Sequence, residues 1–158
     1  MSEFLLPLKG YFHYPEHMWV FLPLLLMCLL ASYTDFKEHK IRQKMVSVFL
    51  VIRFLLFFWY PVSLDTVLGG LVGFSLLFGP AFVLNTNHMA GDIKLAFVIG
   101  LWLGAVPMFT AWVVAILWLI VGIVIVGPVL KRGKIVPFAP CLSIGVVATL
   151  LLPRMMGW

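Results

Sequence analysis

The residues most able to do chemistry in this sequence are aspartates at the edges of apolar segments. Only three aspartates are present, and two of them, Asp35 and Asp92, each lie directly beside an apolar run. Two carboxyl groups that share one site repel each other when both are ionised, so the pKa of one is raised and that group keeps its proton to higher pH. The ionised group can then take a proton from water while the protonated group polarises an amide carbonyl. Such a pair hydrolyses peptide bonds without a metal or a covalent intermediate.

The sequence leaves two interpretations of these aspartates open. They either converge as a catalytic pair or are solvated residues at two helix ends, where the helix dipole favours an acid in the first turn. Other chemistry has less support. The four histidines show no metal-ligand spacing such as HExxH, and Cys28 and Cys141 lie far apart inside apolar runs. We therefore expect no metal site and no cofactor.

Composition and hydropathy place these residues in a membrane protein. Hydrophobic residues make up 63% of the chain and charged residues only 11%, against about 25% charged in a soluble domain. A membrane span needs roughly 20 apolar residues, and Gly104 with Pro107 divides the longest apolar stretch in two. The predicted spans are 18–34, 45–62, 66–84, 93–104, 108–130 and 138–152. We predict an all-α fold, a polytopic membrane bundle of about six transmembrane helices.

Two features of these spans predict how the helices pack. Gly69 and Gly73 in the third span have the spacing that lets two helix backbones approach closely. We expect this glycine pair to serve packing within the bundle rather than a dimer interface. Arg53 lies near the middle of the second span, where a charge is usually partnered. The sequence does not identify that partner.

Basic residues predict the orientation of the spans, because cytoplasmic loops carry an excess of Lys and Arg. The loops after the first and fifth spans are basic, and with six spans both fall on one side, together with Asp35 and Asp92. The basic residues of these loops are Lys37, Lys40, Arg42, Lys44, Lys131, Arg132 and Lys134. The net charge of +5 then reflects topology and anionic lipid headgroups rather than nucleic acid. We expect a single membrane-embedded domain over residues 1–158, with residues 1–17 outside the cytoplasm.

Three short segments together resemble a known family of membrane proteases. Residues 90–95, AGDIKL, resemble the G-x-G-D-x-K motif of the type IV prepilin peptidases. Residues 35–41, DFKEHKI, resemble the family's first motif, in which an aspartate at a helix end precedes a basic stretch and I-P-N. Residues 135–140, IVPFAP, resemble its I-P-F-G-P segment before the last helix. The order and spacing of the three segments and the predicted topology agree with this family.

The resemblance implies a GxGD-type aspartic protease with Asp35 and Asp92 as its catalytic pair. It also implies supporting roles for Gly91, through backbone freedom, and for Lys94. Lys94 either shapes the electrostatic field of the pair or anchors the helix end at the lipid headgroups. The expected partners are the lipid bilayer and a prepilin or pseudopilin-like substrate, whose basic leader is cut at the cytoplasmic face of the bacterial inner membrane. The chain resembles the short family members, which lack the N-terminal methyltransferase insert with its paired cysteines.

Some positions depart from the family pattern and support an alternative function. Met89 stands at the first glycine of G-x-G-D, Arg42 and Gln43 replace Pro-Asn, and Ala139 replaces a glycine. The alternative is a catalytically impaired relative that acts as a membrane assembly or scaffold protein, whose cleavage would not improve with glycine at position 89. A transporter or proton channel would need acids well inside the spans, where the sequence has only Arg53.

Overall fold

The described part of the chain is helical throughout its regular structure. The computed structural model describes residues 18–38, 41–56, 63–83, 90–126 and 138–155. A 3₁₀ turn, Met18–Phe21, leads into the first of six α-helices. The helices are α1 Leu22–Glu38, α2 Gln43–Leu55, α3 Leu64–Val83, α4 Ala90–Leu103, α5 Ala105–Val126 and α6 Phe138–Met155. Each coincides with one predicted span, so the predicted all-α bundle is confirmed.

Close contacts between small residues show that neighbouring helices run antiparallel. Gly69 of α3 lies against the backbone of Gly100 in α4, and Gly73, one turn later, lies against Ala96, one turn earlier. Gly69, Gly73 and Gly100 form a glycine stripe, which packs inside the bundle as expected from the sequence. The helix α6 lies against α5 through Gly145 and Ala111. Small residues at these crossings bring the helix backbones close enough for backbone contact.

Gly104 forms the break between α4 and α5. Its φ of 90° lies in the left-handed region that glycine adopts without strain. The side chain of Asp65, at the start of α3, accepts a hydrogen bond from the Ala105 backbone N–H at 3.3 Å. This bond satisfies one of the orphan donors at the start of α5. Pro107 lies in the first turn of α5, where a missing N–H is tolerated.

The outward faces of the helices are apolar, which fits a lipid environment. Leu22, Leu26 and Leu29 follow one another along α1 and are all exposed. A water-exposed helix would carry polar residues at such positions. Among the described residues, two segments, Trp19–Glu38 and Ala105–Val124, are long and apolar enough to cross a membrane, and Leu64–Gly79 and Phe138–Leu151 are shorter apolar helices.

Arg53 is the most buried charged side chain of the described residues, with 1% of its surface exposed. Its Nε donates a hydrogen bond to the backbone carbonyl of Leu101 at 3.0 Å. Its guanidinium carbon lies 5.6 Å from the centroid of the Trp102 ring, a cation–π distance. Among the described residues, α4 therefore stabilises the charge in the second span through a carbonyl and an indole.

Candidate active site

Asp35 lies in the last turn of α1 and is buried. Its Oδ2 accepts a hydrogen bond from the backbone N–H of Ala139 at 3.0 Å. Ala139 is the second residue of α6, so this N–H belongs to the first turn, whose donors have no partner within the helix. The positive end of the helix dipole favours a negative charge at the same place. The hydrogen bond from the N-terminus of the last helix therefore fixes the position of the Asp35 carboxyl group.

Asp92 is the third residue of α4 and precedes the predicted span 93–104. Burial, and then the negative charge of Asp35, raise the pKa of Asp92 from its usual 3.8 to about 6. The second cause requires the two carboxyl groups to be close enough to interact. The end of α1 and the start of α4 thus bring together the two aspartates that the sequence singled out, while their catalytic role stays a prediction.

Gly91 lies where the segment after α1 passes over the start of α4. A Cβ added at Gly91 would lie 3.1 Å from the Cβ of Ile41 and 3.4 Å from the Ile41 carbonyl oxygen. Contacts this short leave little room for a side chain. The glycine therefore allows the first motif to pack closely on the motif that carries Asp92. The supporting role through backbone freedom stays a prediction.

Lys94 is exposed and lines a groove of about 340 Å³ between α2, α3 and α4, with Gln43, Ser47 and Phe74 among its neighbours. Neither aspartate lines this groove. Both roles given for Lys94, shaping the electrostatic field and anchoring the helix end, stay predictions.

Arg42, one of the departures from the family pattern, leaves the local backbone in a proline-like conformation. Arg42 precedes α2 with φ −71° and ψ 117°, and a proline ring would fix φ at about −65°. Its guanidinium pairs with Glu38 at 2.5 Å on the surface, where an ion pair adds little stability. Ala139, another departure, is fully buried and still presents its N–H to Asp35. Both substitutions are therefore compatible with the geometry around the aspartates.

Two serines that the sequence reasoning missed join α1 to α6 beside Asp35. The hydroxyls of Ser32 and Ser143 lie 2.8 Å apart. Each hydroxyl also lies within hydrogen-bonding distance of the Cys28 carbonyl, at 2.8 Å from Ser32 and 3.1 Å from Ser143. Single serines in apolar runs carry no motif. Their spacing could have identified them, because Ser32 lies one helical turn before Asp35 and Ser143 lies one turn after Ala139.

Some predicted features lie outside the described residues. They are the extracytoplasmic segment 1–17, Met89, residues 135–137 of the third motif, and the basic residues Lys40, Lys131, Arg132 and Lys134. Within the described ranges, no group of three or more His, Cys, Asp or Glu residues could hold a metal ion. The expected absence of a metal and a cofactor remains a prediction.

Comparison with known proteins identifies the family. A model of the type IV leader peptidase family matches residues 22–130, which include both aspartates and the first five helices. This chain belongs to the type IV leader peptidase family. No curated protein and no solved structure matches it. Family membership indicates a peptidase that acts on prepilin-type leaders, and with the apolar helices it indicates a membrane protein.

The raised pKa of Asp92 predicts a pH-dependent stability difference between the native protein and Asp92→Asn. Between about pH 4 and pH 6 the unfolded chain ionises at Asp92 while the folded chain keeps its proton, so wild-type stability falls as pH rises. Asparagine cannot ionise. Between pH 4 and pH 7, the free energy of unfolding of the variant should therefore rise by roughly 2 kcal/mol relative to that of wild type. This figure allows for the partial exposure of Asp92. Thermal unfolding in detergent micelles measures this, and a difference that stays constant with pH would contradict it.

Proposed function

We propose that this family member is a membrane-embedded aspartic endopeptidase that removes the basic leader of type IV prepilin-like proteins at the cytoplasmic membrane face. One observation carries the proposal: Asp35 and Asp92, on two different helices, lie close enough for their charges to interact. Two carboxyl groups that share one site can act as a general acid and a general base, which is what metal-free peptide hydrolysis requires. The family match supports peptidase activity independently of this geometry.

The surroundings of the two aspartates divide the roles between them. Asp35 accepts the Ala139 N–H at the α6 N-terminus, so its carboxylate is held in place, and it acts as the base. Asp92 keeps a proton to higher pH and acts as the acid. Water attacks the scissile carbonyl as its proton passes to Asp35, and the carbonyl oxygen takes the proton of Asp92. When the tetrahedral intermediate collapses, the amine nitrogen takes the proton from Asp35 and the oxygen returns one to Asp92.

The charge distribution around the aspartates supports the cytoplasmic side of a bacterial inner membrane. Lys37, Arg42, Lys44 and Lys94 belong to the ends of α1, α2 and α4 that lie near the pair. Such basic helix ends are typical of the cytoplasmic face. A multi-pass domain over residues 1–158 would then let the substrate helix stay in lipid while its leader reaches the aspartates. Lipid and substrate, rather than nucleic acid, would be the partners.

The test is cleavage by the purified chain in liposomes, with a type IV prepilin as substrate and a metal chelator present. Mass spectrometry of the new N-terminus identifies the bond that is cut. We expect one cut, between the basic leader and the apolar helix, at the same rate with and without the chelator. An intact prepilin after prolonged incubation would overturn the proposal, and loss of cleavage with the chelator would overturn its aspartic mechanism.

A further inference from the structure

An apolar groove runs along the outer surface of the bundle between α1 and α6. It consists of two adjoining cavities, one of about 650 Å³ and one of about 430 Å³, which share Leu25, Val147 and Leu151 as lining residues. Along the 3₁₀ turn and α1 the lining extends from Trp19 to Ser32. At 1.5 Å of rise per residue this is roughly 20 Å, a large part of the hydrocarbon thickness of a membrane.

One end of the groove lies beside the aspartates. Ser32, Ser143 and Pro140 line that end. Pro140 directly follows Ala139, whose N–H is bonded to Asp35. Cys28 also lines the groove, and Asp35 lies two helical turns after it on the same side of α1. A rod-shaped occupant of the groove would therefore end next to the carboxyl pair.

The chemistry of the lining selects the occupant. None of the residues that line the two cavities is charged, and the hydroxyls of Ser32 and Ser143 already bond to each other and to backbone carbonyls. The occupant must be apolar along its length. At this end it meets Asp35, the base of the proposed pair, whose carboxylate attracts a cationic group and repels a phosphate. A phospholipid would place its anionic phosphate there, whereas a peptide with a basic segment before an apolar helix matches both ends.

We propose that the groove between α1 and α6 holds the apolar helix of the substrate and thereby places the peptide bond preceding that helix at Asp35 and Asp92. This inference rests on the proposed function and adds the docking surface. Binding energy from the helix, remote from the reacting bond, positions that bond against the two carboxyl groups.

Photo-crosslinking tests the docking surface directly. Val147 in the groove and Val121 on α5 form a matched pair, 41% and 42% exposed, and Val121 lines neither cavity. Each is replaced by p-benzoylphenylalanine in the Asp92→Asn variant, and a full-length prepilin is added in liposomes. We expect a prepilin adduct from position 147 and none from position 121. Equal adducts at both positions, no prepilin adduct, or adducts only with lipid or a second copy of the chain would overturn the inference.

A groove-filling variant gives a second measurement that separates this inference from the proposed function. Ala148 lines the groove, whereas a side chain at Gly122 on α5 meets nothing within 4 Å. We expect Ala148→Trp to lower the cleavage rate of full-length prepilin, measured against the wild-type rate, at least ten times more than it lowers the cleavage rate of a short soluble peptide that lacks the helix. Gly122→Trp should cut both substrates at the wild-type rates. Unchanged cleavage of full-length prepilin by Ala148→Trp would overturn the docking surface and leave the peptidase in place. Failure of the wild-type chain to cut any prepilin would overturn both.

Discussion

Replacement of either aspartate of the pair by asparagine should lower the rate of leader removal by roughly 10³-fold, within the range for loss of a general acid or base. Asparagine keeps the size of the side chain but can neither take a proton from water as Asp35 does nor donate one as Asp92 does. At position 35 its amide oxygen can still accept the Ala139 N–H. The loss should therefore appear in the turnover rate, with the fold retained.

The measurement is the initial rate of prepilin cleavage in liposomes for Asp35→Asn, Asp92→Asn and a matched control. Glu38→Gln serves as that control, because Glu38 is an exposed acid near the end of α1 whose partner is Arg42 rather than an aspartate. We expect the control to retain near wild-type activity. The thermal stability of Asp92→Asn at pH 7 should equal or exceed that of wild type, which separates inactivation from unfolding. Cleavage at the wild-type rate by either asparagine variant would contradict the assignment of Asp35 and Asp92 as the catalytic pair.

The number and order of the helices could be predicted from the sequence because each helix has an apolar centre. Hydropathy gives the apolar centre of a helix but not the end of its hydrogen-bonded backbone. The first span was predicted to end at residue 34, whereas α1 continues through Asp35 to Glu38. Likewise α4 begins at Ala90, before the predicted span at 93. Polar residues at a membrane edge can continue a helix although they lower its hydropathy. For this reason both aspartates lie on helices, outside the spans that hydropathy predicts.

The contacts that hold the aspartates could not be predicted, because they join segments far apart in the chain through backbone atoms. The bond from Ala139 to Asp35 depends on where α6 begins, not on the type of side chain at 139. The interaction of Arg53 with Leu101 likewise uses a carbonyl that every residue has. Motif resemblance identified Asp35, Asp92 and Lys94, but it could not show which groove the Lys94 side chain lines.

The crossing of α3 and α4 carries the other large expected effect. A Cβ at Gly69 would overlap the carbonyl oxygen of Gly100, one at Gly100 would overlap that of Gly69, and one at Gly73 would overlap that of Ala96. These obstacles are backbone atoms, which cannot move aside as the end of a flexible side chain can. The helices would have to separate along the stripe, and α4, which carries Asp92 at its start, would shift.

We expect Gly69→Ala, Gly73→Ala and Gly100→Ala each to lower the free energy of unfolding by about 1–3 kcal/mol, the usual penalty for overpacking. Gly79→Ala and Gly122→Ala are matched controls, because a Cβ at either position meets nothing within 4 Å. Alanine there removes only the helix penalty of glycine, so stability should stay equal or rise by up to about 1 kcal/mol. Thermal unfolding in micelles compares the two groups. Since the same substitution is made in both, equal stability across all five variants would show that the glycine stripe does not set the spacing of α3 and α4.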